Sequence, residues 1–389
     1  MTESIHILYY ALVILAIISF LVTVSNSGYL KLLSNTITPL EPSFSWPSVS
    51  VLLPARNEGD SIGQCLKALD TQSYTNLEII VLDDRSTDET AKVVESFVQK
   101  NSRIKLIHGT EPPHGWIGKL WACHQLSLKG TGDFLLFIDS DTILSPDTIS
   151  AAVRNSINVN ADLFTAVPQR MAKNLTERLI YPFIDWSLFS WIPLRLAQRI
   201  QSSLLSAGFG QFMLFKTSSY RLIGGHEIIN DDPLDDFNLA RLARKMKLKV
   251  ELCQGTHCVK VLPYKGNLET FKGISRSVFP TLNYSVSVFS IFSIVIIGLG
   301  FMPITTLLFT VLFHTGFGDL FFLSLLTLCI VTSSWFIICK NFGHCMAMVA
   351  CYPISMAMMI LVGSHSVLTY TLGVTNWKSR KISIRRIRF

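Results

Sequence analysis

The stretch Phe134–Asp147, FLLFIDSDTILSPD, decides the fold. Phe134 to Ile138 is an apolar run of the length that suits a buried parallel strand, and it leads directly into two carboxylates, Asp139 and Asp141, separated by one small residue. Side chains on an extended backbone repeat every two residues, so both acids are expected to leave the strand on one side as a claw. Acids at the carboxyl end of a strand in an open α/β sheet sit where such folds bind ligands. A hard cation held by one or two carboxylates is completed by substrate phosphates, so the expected ligand is a diphosphate with Mg2+ or Mn2+. A D-x-D pattern is short, and alone it reads equally well as a strand end, with Pro146 and Asp147 starting the next helix.

Working outward, Ser48–Leu53 reads as a strand stopped by Pro54, and Asp60–Leu69 has helical spacing. Leu77–Asp83 is a second apolar strand, followed by Asp84, Arg85 and the helix-start signal Ser86 to Glu89. Arg103–Ile107, a helix at Lys119–Leu128 and another at Ser145–Asn155 complete the alternation. Strands and helices alternating at this spacing predict an α/β fold with a mostly parallel, Rossmann-like sheet. Arg56, Glu58, Asp83, Asp84, Asp139 and Asp141 all fall at its carboxyl edge.

The composition adds a membrane. Of 389 residues, 49% are hydrophobic and only 16% charged, and the mean hydropathy is +0.40. Ile5–Val24 is an almost unbroken apolar run of bilayer-crossing length, with no Lys or Arg before it, and reads as a retained anchor rather than a cleaved signal. Tyr284–Phe313, Leu320–Cys339 and Cys345–Leu372 are apolar again. The net charge of +7 is concentrated in a tail carrying Lys378, Arg380, Lys381, Arg385, Arg386 and Arg388. Because this tail directly follows an apolar segment, anionic lipid on the cytoplasmic face is its expected partner, not nucleic acid. The eight cysteines form no disulfide or zinc framework. The expected division is an anchor over 1–30, a linker over 31–47, a catalytic domain over 48–280, a membrane region over 281–372 and the basic tail over 373–389. An anchor followed by three full spans would leave the tail on the wrong side. One C-terminal segment is therefore expected not to cross, and Gly298, Gly300 and Pro303 point to the first half of Tyr284–Phe313.

P-A-R-N-E after the first strand, D-D-R-S-T-D after the second and D-S-D after a later one, in that order, resemble the GT-A domain of family 2 glycosyltransferases over roughly Pro47–Phe279. The resemblance implies that Pro54, Ala55, Arg56, Glu58 and Asp84 hold the nucleotide, and that Asp139 and Asp141 face the metal and the sugar diphosphate. Within the stretch His108–Gln125, Gly115 and Gly118 allow close backbone approach, and Lys119 at a helix start reaches phosphate or sugar oxygens. Its pattern P-H-G-W-x-G-K-x-W-A is similar to a stretch in the glycosyltransferases of carotenoid and hopanoid pathways, which implies a lipid-modifying subgroup.

Leu175–Ser206 interleaves Tyr181, Phe183, Trp186, Phe189 and Trp191 with Arg178, Arg195 and Arg199, a composition expected at a bilayer interface over 175–206 or in a helix packed on the sheet. Gly208, Gly210 and Gln211 are similar to the family's acceptor-side loop. Asp235 and Asp236 open the helix Phe237–Lys247, where the family carries an acidic pair whose second member is the general base. Carried over, the base is Asp236 with Asp235 on the acceptor side. Acids at a helix start are also ordinary caps, and Asp231 and Asp232 lie nearby. Arg276 in TFKGISRSVFP matches the arginine of the family's Q-x-x-R-W motif and implies a clasp on the diphosphate. Lys272 and Ser277 replace the Gln and Trp, which favours single transfer over processive synthesis.

The expected protein is a multi-pass enzyme of the inner, cytoplasmic membrane with its catalytic domain in the cytoplasm. It would use a nucleotide sugar, UDP-glucose first, and an isoprenoid lipid hydroxyl of carotenoid or hopanoid type. Ceramide, diacylglycerol or polyprenyl phosphate acceptors are the alternatives, and a non-catalytic nucleotide-sugar-binding membrane protein is the alternative of another class.

Overall fold

A computed structural model describes residues 2–33, 45–200, 202, 205–314, 316–377, 380–381 and 387–388. Most of the expected linker, 34–44, and part of the basic tail, 378–379, 382–386 and 389, lie outside the described residues.

The elements run in the order α1 (Thr2–Tyr29), β1 (Val49–Ala55), α2 (Ile62–Asp70), β2 (Leu77–Asp83), α3 (Thr90–Val98), β3 (Ile104–His108), α4 (Gly118–Lys129), β4 (Phe134–Phe137), β5 (Thr142–Leu144) and α5 (Thr148–Asn158). There follow β6 (Leu163–Val167), β7 (Gln169–Arg170), α6 (Leu175–Trp191), α7 (Leu194–Ile200), β8 (Met213–Lys216), α8 (Thr217–Leu222), α9 (Asp235–Lys245), β9 (Val250–Gln254), β10 (Val259–Val261) and α10 (Asn267–Thr281). The C-terminal helices are α11 (Val286–Gly300), α12 (Met302–Leu312), α13 (Asp319–Phe342) and α14 (Tyr352–Thr371), before a short antiparallel pair, Asn376–Trp377 with Arg380–Lys381.

The main sheet has the order β3-β2-β1-β4-β8-β6-β9, parallel except where β8 runs against β4 and β6. Apolar strands buried on both faces explain it: Val51, Leu53, Val81 and Leu136 pack against α2, α3 and α5, whereas Leu52, Leu82, Leu135 and Phe137 face α4, α8 and α9. Leu52 pairs with Phe137 as the last β1–β4 partner, so Pro54 lies beyond that ladder and β1 continues to Ala55 along β2 alone. β4 also ends earlier than its sequence suggests. Asp139 and Asp141 sit in a turn closed by Thr142 N–H to Asp139 O at 3.0 Å, so a turn, not strand alternation, sets the two acids.

Among the described residues, four helical stretches are long and apolar enough to cross a membrane: Glu3–Tyr29, Val286–Leu312, Asp319–Phe342 and Tyr352–Thr371. The expected interfacial helix differs from its prediction. The aromatic residues of α6 do not line an open face: Phe183, Trp186 and Phe189 are buried among α1, α13 and α14, and Trp186 stacks on Trp335 at 5.7 Å. The arginines stay outside: Arg178 of α6 and Arg195 and Arg199 of α7 are exposed. α6 starts from a capping box in which Asn174 accepts from Glu177 N and Glu177 reaches back to the Asn174 N–H.

The bundle is tied to the sheet. Residues 31–33 pair with Gln254 at the end of β9, Asn341 donates to Ser27, and Gln254 donates to Asn341 O at 2.5 Å. α14 lies antiparallel to α11, with Met356 against Gly300, Gly363 against Phe289, and Tyr370 5.4 Å from Tyr284. Tyr370 Oη donates to Arg276 O of α10 at 2.8 Å, and Arg388 pairs with residues 284–286. The C-terminal end of α14 therefore meets the side of the bundle that carries α10 and the start of α11, whereas Met356 lies at the far end of α11.

Candidate active site

The carboxyl ends of β1 and β2 carry two loops stitched to each other. Arg56 Nη1 donates to Asp84 O at 2.6 Å, Asp84 N–H to Ala55 O at 2.7 Å, Glu58 N–H to Thr90 Oγ1 at 2.8 Å and Gly59 N–H to Asp88 Oδ2 at 3.0 Å. Asn57 and Arg85 adopt positive φ, 50° and 58°, within this turn pair. Arg56 thus braces the loop that carries Asp84, which is 2% exposed. Glu58 accepts from Ser61 Oγ at 2.7 Å, and its charge reaches both Asp139 and Asp141.

Around the D-S-D turn, five predicted residues converge. Lys119 Nζ, at the first turn of α4, lies 2.9 Å from Asp139 Oδ1 and 3.1 Å from Asp235 Oδ2. Gly210 N–H donates to Asp236 Oδ2 at 3.0 Å. A Cβ on Gly210 would lie 3.7 Å from Asp236 Oδ2, 3.7 Å from Lys119 Nζ and 3.8 Å from Asp139 Oδ2, so the glycine leaves open the point these groups face. Gly208 has a different reason: a Cβ there would come within 2.6 Å of Asp236 O. Gln211 follows in the turn before β8.

The charges differ sharply within the α9 pair. Burial would push Asp235 up, but Lys119 and then His226 overcome it and hold its carboxyl below the usual range. Burial first, and then the neighbouring charge of Asp235, push Asp236 up to about 7. Burial opposes the Lys119 charge, but Asp139 and Asp235 hold its ammonium well above the usual lysine value. Asp141 is likewise pushed up to about 7, by burial and then by Asp139 and Glu58.

A divalent cation fits this donor set. Asp141 Oδ1 is buried without a hydrogen-bond partner among the described residues, and it follows Asp139 by two positions in one turn. No group of three or more His, Cys, Asp or Glu side chains is placed to hold a metal among the described residues. A cation here would draw the rest of its coordination from a ligand such as a diphosphate.

Arg276 lies on α10, its Nε 3.5 Å from the carbonyl of Gly273. Its charge acts on Tyr264, a phenol that burial pushes up to about 12 and that also feels Asp141 and Asp139. Tyr264 packs on Gly273, where a Cβ would meet its ring at 2.7 Å. Sequence reading passed over Tyr264, which stands in a loop with no motif around it. It also passed over His226, which burial lowers to about 4 and which pairs through Nδ1 with Tyr220 Oη at 2.6 Å. Only the two glycines before His226, both at positive φ, hinted at a special turn.

Residues 50–224 match the family model described as Glycosyl transferase family 2. The chain carries a family 2 glycosyltransferase domain. The chain is 26% identical over 230 residues to the 4,4'-diaponeurosporenoate glycosyltransferase of Staphylococcus haemolyticus, covering 57% of this chain and 58% of that protein. It is 24% identical over 234 residues to the enzyme of the same name from Staphylococcus aureus, covering 59% and 60%. The chain thus spans about three fifths of the length of these curated relatives. Among solved structures, a mannosyltransferase from Pyrobaculum calidifontis in complex with GDP-Man and Mn2+ superposes with a TM-score of 0.50 at 16% identity, over 94% of this chain and 97% of that one. The shared fold is GT-A, as the ordered motifs of the family 2 domain imply.

Proposed function

We propose that this protein is an inverting glycosyltransferase that moves a hexose from a nucleotide sugar to a carotenoid-type lipid in the membrane. The observation that carries the reading is the convergence of Asp139, Lys119, Gly210 and Asp236 on one open point beside Asp141. Pro54, Ala55, Arg56, Glu58 and Asp84 line the nucleotide end, with UDP-glucose as the first donor to try. Asp139 and Asp141 would hold Mg2+ or Mn2+, which when bound offsets the charge gathering on the leaving diphosphate. Arg276 supplies a further positive charge on that side.

Asp236 takes the acceptor's proton as the acceptor oxygen bonds to the anomeric carbon and the bond from that carbon to the diphosphate breaks. The electron pair leaves with the nucleoside diphosphate, and attack from the opposite face inverts the centre. A carboxylate pushed up to about 7 suits this work, because it is basic enough to accept the proton and still ionised near neutrality.

A second acceptor reading has its own support. The relatives are named for an -oate, a carboxylate. A carotenoid carboxylate would be glycosylated to an ester and needs no base. The two readings separate on Asp236: the variant Asp236→Asn would lose transfer to a hydroxyl and keep transfer to a carboxylate.

For the membrane, we infer that α1, α11–α12 and α13 cross. α14, the least apolar of the four stretches, enters beside α11 and returns. Three crossings and one return place the basic tail with the catalytic domain on the cytoplasmic side, where positive charge is favoured. α14 thereby takes the non-crossing part expected of the first half of Tyr284–Phe313.

The deciding experiment incubates the detergent-purified protein with UDP-glucose and Mn2+, with and without a carotenoid-containing lipid extract, and measures released UDP and labelled lipid. Lipid-dependent release with a labelled product supports the reading. Silence with every nucleotide sugar and every lipid would leave a binding protein in its place.

A further inference from the structure

Lys119 occupies the position of a cation in the claw. Its ammonium bridges Asp139 at 2.9 Å and Asp235 at 3.1 Å with three quarters of the side chain covered, so it is a buried ion pair on both sides. One of the two claw carboxylates is therefore already paired with a cation of the chain itself, shared with Asp235. A divalent ion arriving alone meets Asp141, whose Oδ1 is buried without a hydrogen-bond partner among the described residues, an Asp139 already held by Lys119, no cluster of three His, Cys, Asp or Glu side chains among the described residues, and a fixed positive charge beside it. Taking Asp139 from Lys119 would leave a buried ammonium half-paired, which is costly.

A diphosphate changes both conditions at once. It brings anionic oxygens that complete the cation's coordination, and it offers Lys119 a new anion at the start of α4, where backbone N–H groups favour negative charge. Gly210 keeps the path between Lys119, Asp139 and Asp236 open for this exchange.

We propose that Lys119 is an internal counter-cation that keeps the divalent ion out of the claw until a nucleoside diphosphate arrives, so that metal and nucleotide bind as a coupled pair. The inference rests on the reading of Asp139 and Asp141 as the metal-diphosphate site. By linkage, whatever factor the nucleotide adds to metal affinity, the metal adds to nucleotide affinity.

The test is Mn2+ binding to the full-length, detergent-purified protein, followed by the loss of the free-ion electron paramagnetic resonance signal, alone and with UDP or GDP. The wild type is expected to bind Mn2+ weakly alone and at least tenfold more tightly with one of the nucleotides. Lys119→Gln is expected to bind Mn2+ alone at least tenfold more tightly than the wild type and to lose most of the nucleotide-dependent gain. Lys119→Arg, which keeps the charge, is expected to keep the coupling. A lysine that only supports the fold would give the opposite sign, weaker Mn2+ binding in Lys119→Gln. The inference is overturned if folded Lys119→Gln binds Mn2+ alone no more tightly than the wild type. It is equally overturned, whatever the variant's folding, if the wild type binds Mn2+ as tightly alone as with either nucleotide. The nucleotide-free comparison needs no knowledge of the donor, so a wrong donor sugar leaves it intact, whereas no Mn2+ bound under any condition would remove the metal site and the inference together.

Discussion

The backbone N–H of Gly210 donates to Asp236 Oδ2 at 3.0 Å, although the two residues lie 26 positions apart. This bond and the Phe237 N–H, 2.8 Å from Asp236 Oδ1, fix the carboxylate at the start of α9, against the Gly208–Gln211 turn. Asp236→Asn keeps the shape and removes the proposed base. If the acceptor is a hydroxyl, transfer should fall by about 10²–10⁴-fold, the usual worth of a general base, with nucleotide binding retained. Turnover against product and a UDP titration measure the two separately.

The same group sets a pH dependence. A general base works only when ionised, so the rate should rise with pH and level off above about 7. Stability should move the other way. The folded value lies above the unfolded one, so the folded state holds the proton more tightly. Stability from this group is present below the ordinary carboxylate range and is lost as pH rises through about 7. At pH 8 the neutral Asp236→Asn should therefore melt higher than the wild type while turning over far more slowly. A variant that melts lower at pH 8 would contradict the placement of a strained carboxylate there.

Two glycines two residues apart should fail differently. At Gly210 an added Cβ finds only ordinary contacts, the nearest at 3.7 Å, so Gly210→Ala should fold with a near-unchanged melting temperature. Its methyl group would occupy the point that Asp236, Lys119 and Asp139 face, the proposed place of the reacting groups, and kcat/KM should fall at least tenfold. At Gly208 the added Cβ meets Asp236 O at 2.6 Å, backbone against backbone. Gly208→Ala should push the start of α9 away, lowering the melting temperature and the activity together.

Sequence alone carried the strands of the sheet and most of the residues that meet around the D-S-D turn, for an identifiable reason. Runs such as LEIIVLD and FLLFID are apolar on both faces because helices cover both, and their acids appear only where the strands end. What it missed lies in contacts made across long separations. Nothing near Trp186 says that its ring will stack on Trp335, because an aromatic stretch with scattered arginines has the same composition at an interface as inside a bundle. The claw's placement in a turn also escaped the period-two argument, since Asp139 and Asp141 follow the strand rather than belong to it.

The bundle and the catalytic domain share a buried ionic knot. Asp185 of α6, 1% exposed, accepts from Arg170 Nη1 at 2.5 Å and pairs with His344 Nε2 at 2.8 Å, and the Arg170 guanidinium lies over the Phe209 ring at 5.8 Å. Burial would push Asp185 up, but Arg170 and His344 hold its carboxyl low. Removing one partner of such a pair leaves an uncompensated charge. Asp185→Ala should cost about 3–5 kcal/mol and lower the melting temperature in detergent. His344→Gln, which retains a hydrogen-bonding group, should cost less. Because Phe209 precedes Gly210, both should also raise the KM for lipid more than that for the nucleotide sugar.

The last prediction concerns sidedness. If α14 returns rather than crosses, the loop after α12 and the tail after α14 lie on opposite faces. Cysteine placed at Phe317, in a background with Cys329, Cys345 and Cys351 replaced because all three are at least partly exposed, should react with a membrane-impermeant maleimide added to intact cells. Cysteine placed at Val374, 56% exposed and just past α14, should react only after the membrane is opened. Labelling of both positions from outside would mean that α14 crosses, and the contacts of Tyr370 with Arg276 and of Arg388 with residues 284–286 would then need both partners on the outer face. Those partners are joined to α10 without an intervening span, and α10 packs on the domain that holds Asp139 and Asp236. Labelling of Val374 from outside would therefore move the whole active site out of the cytoplasm, away from a cytoplasmic supply of nucleotide sugar.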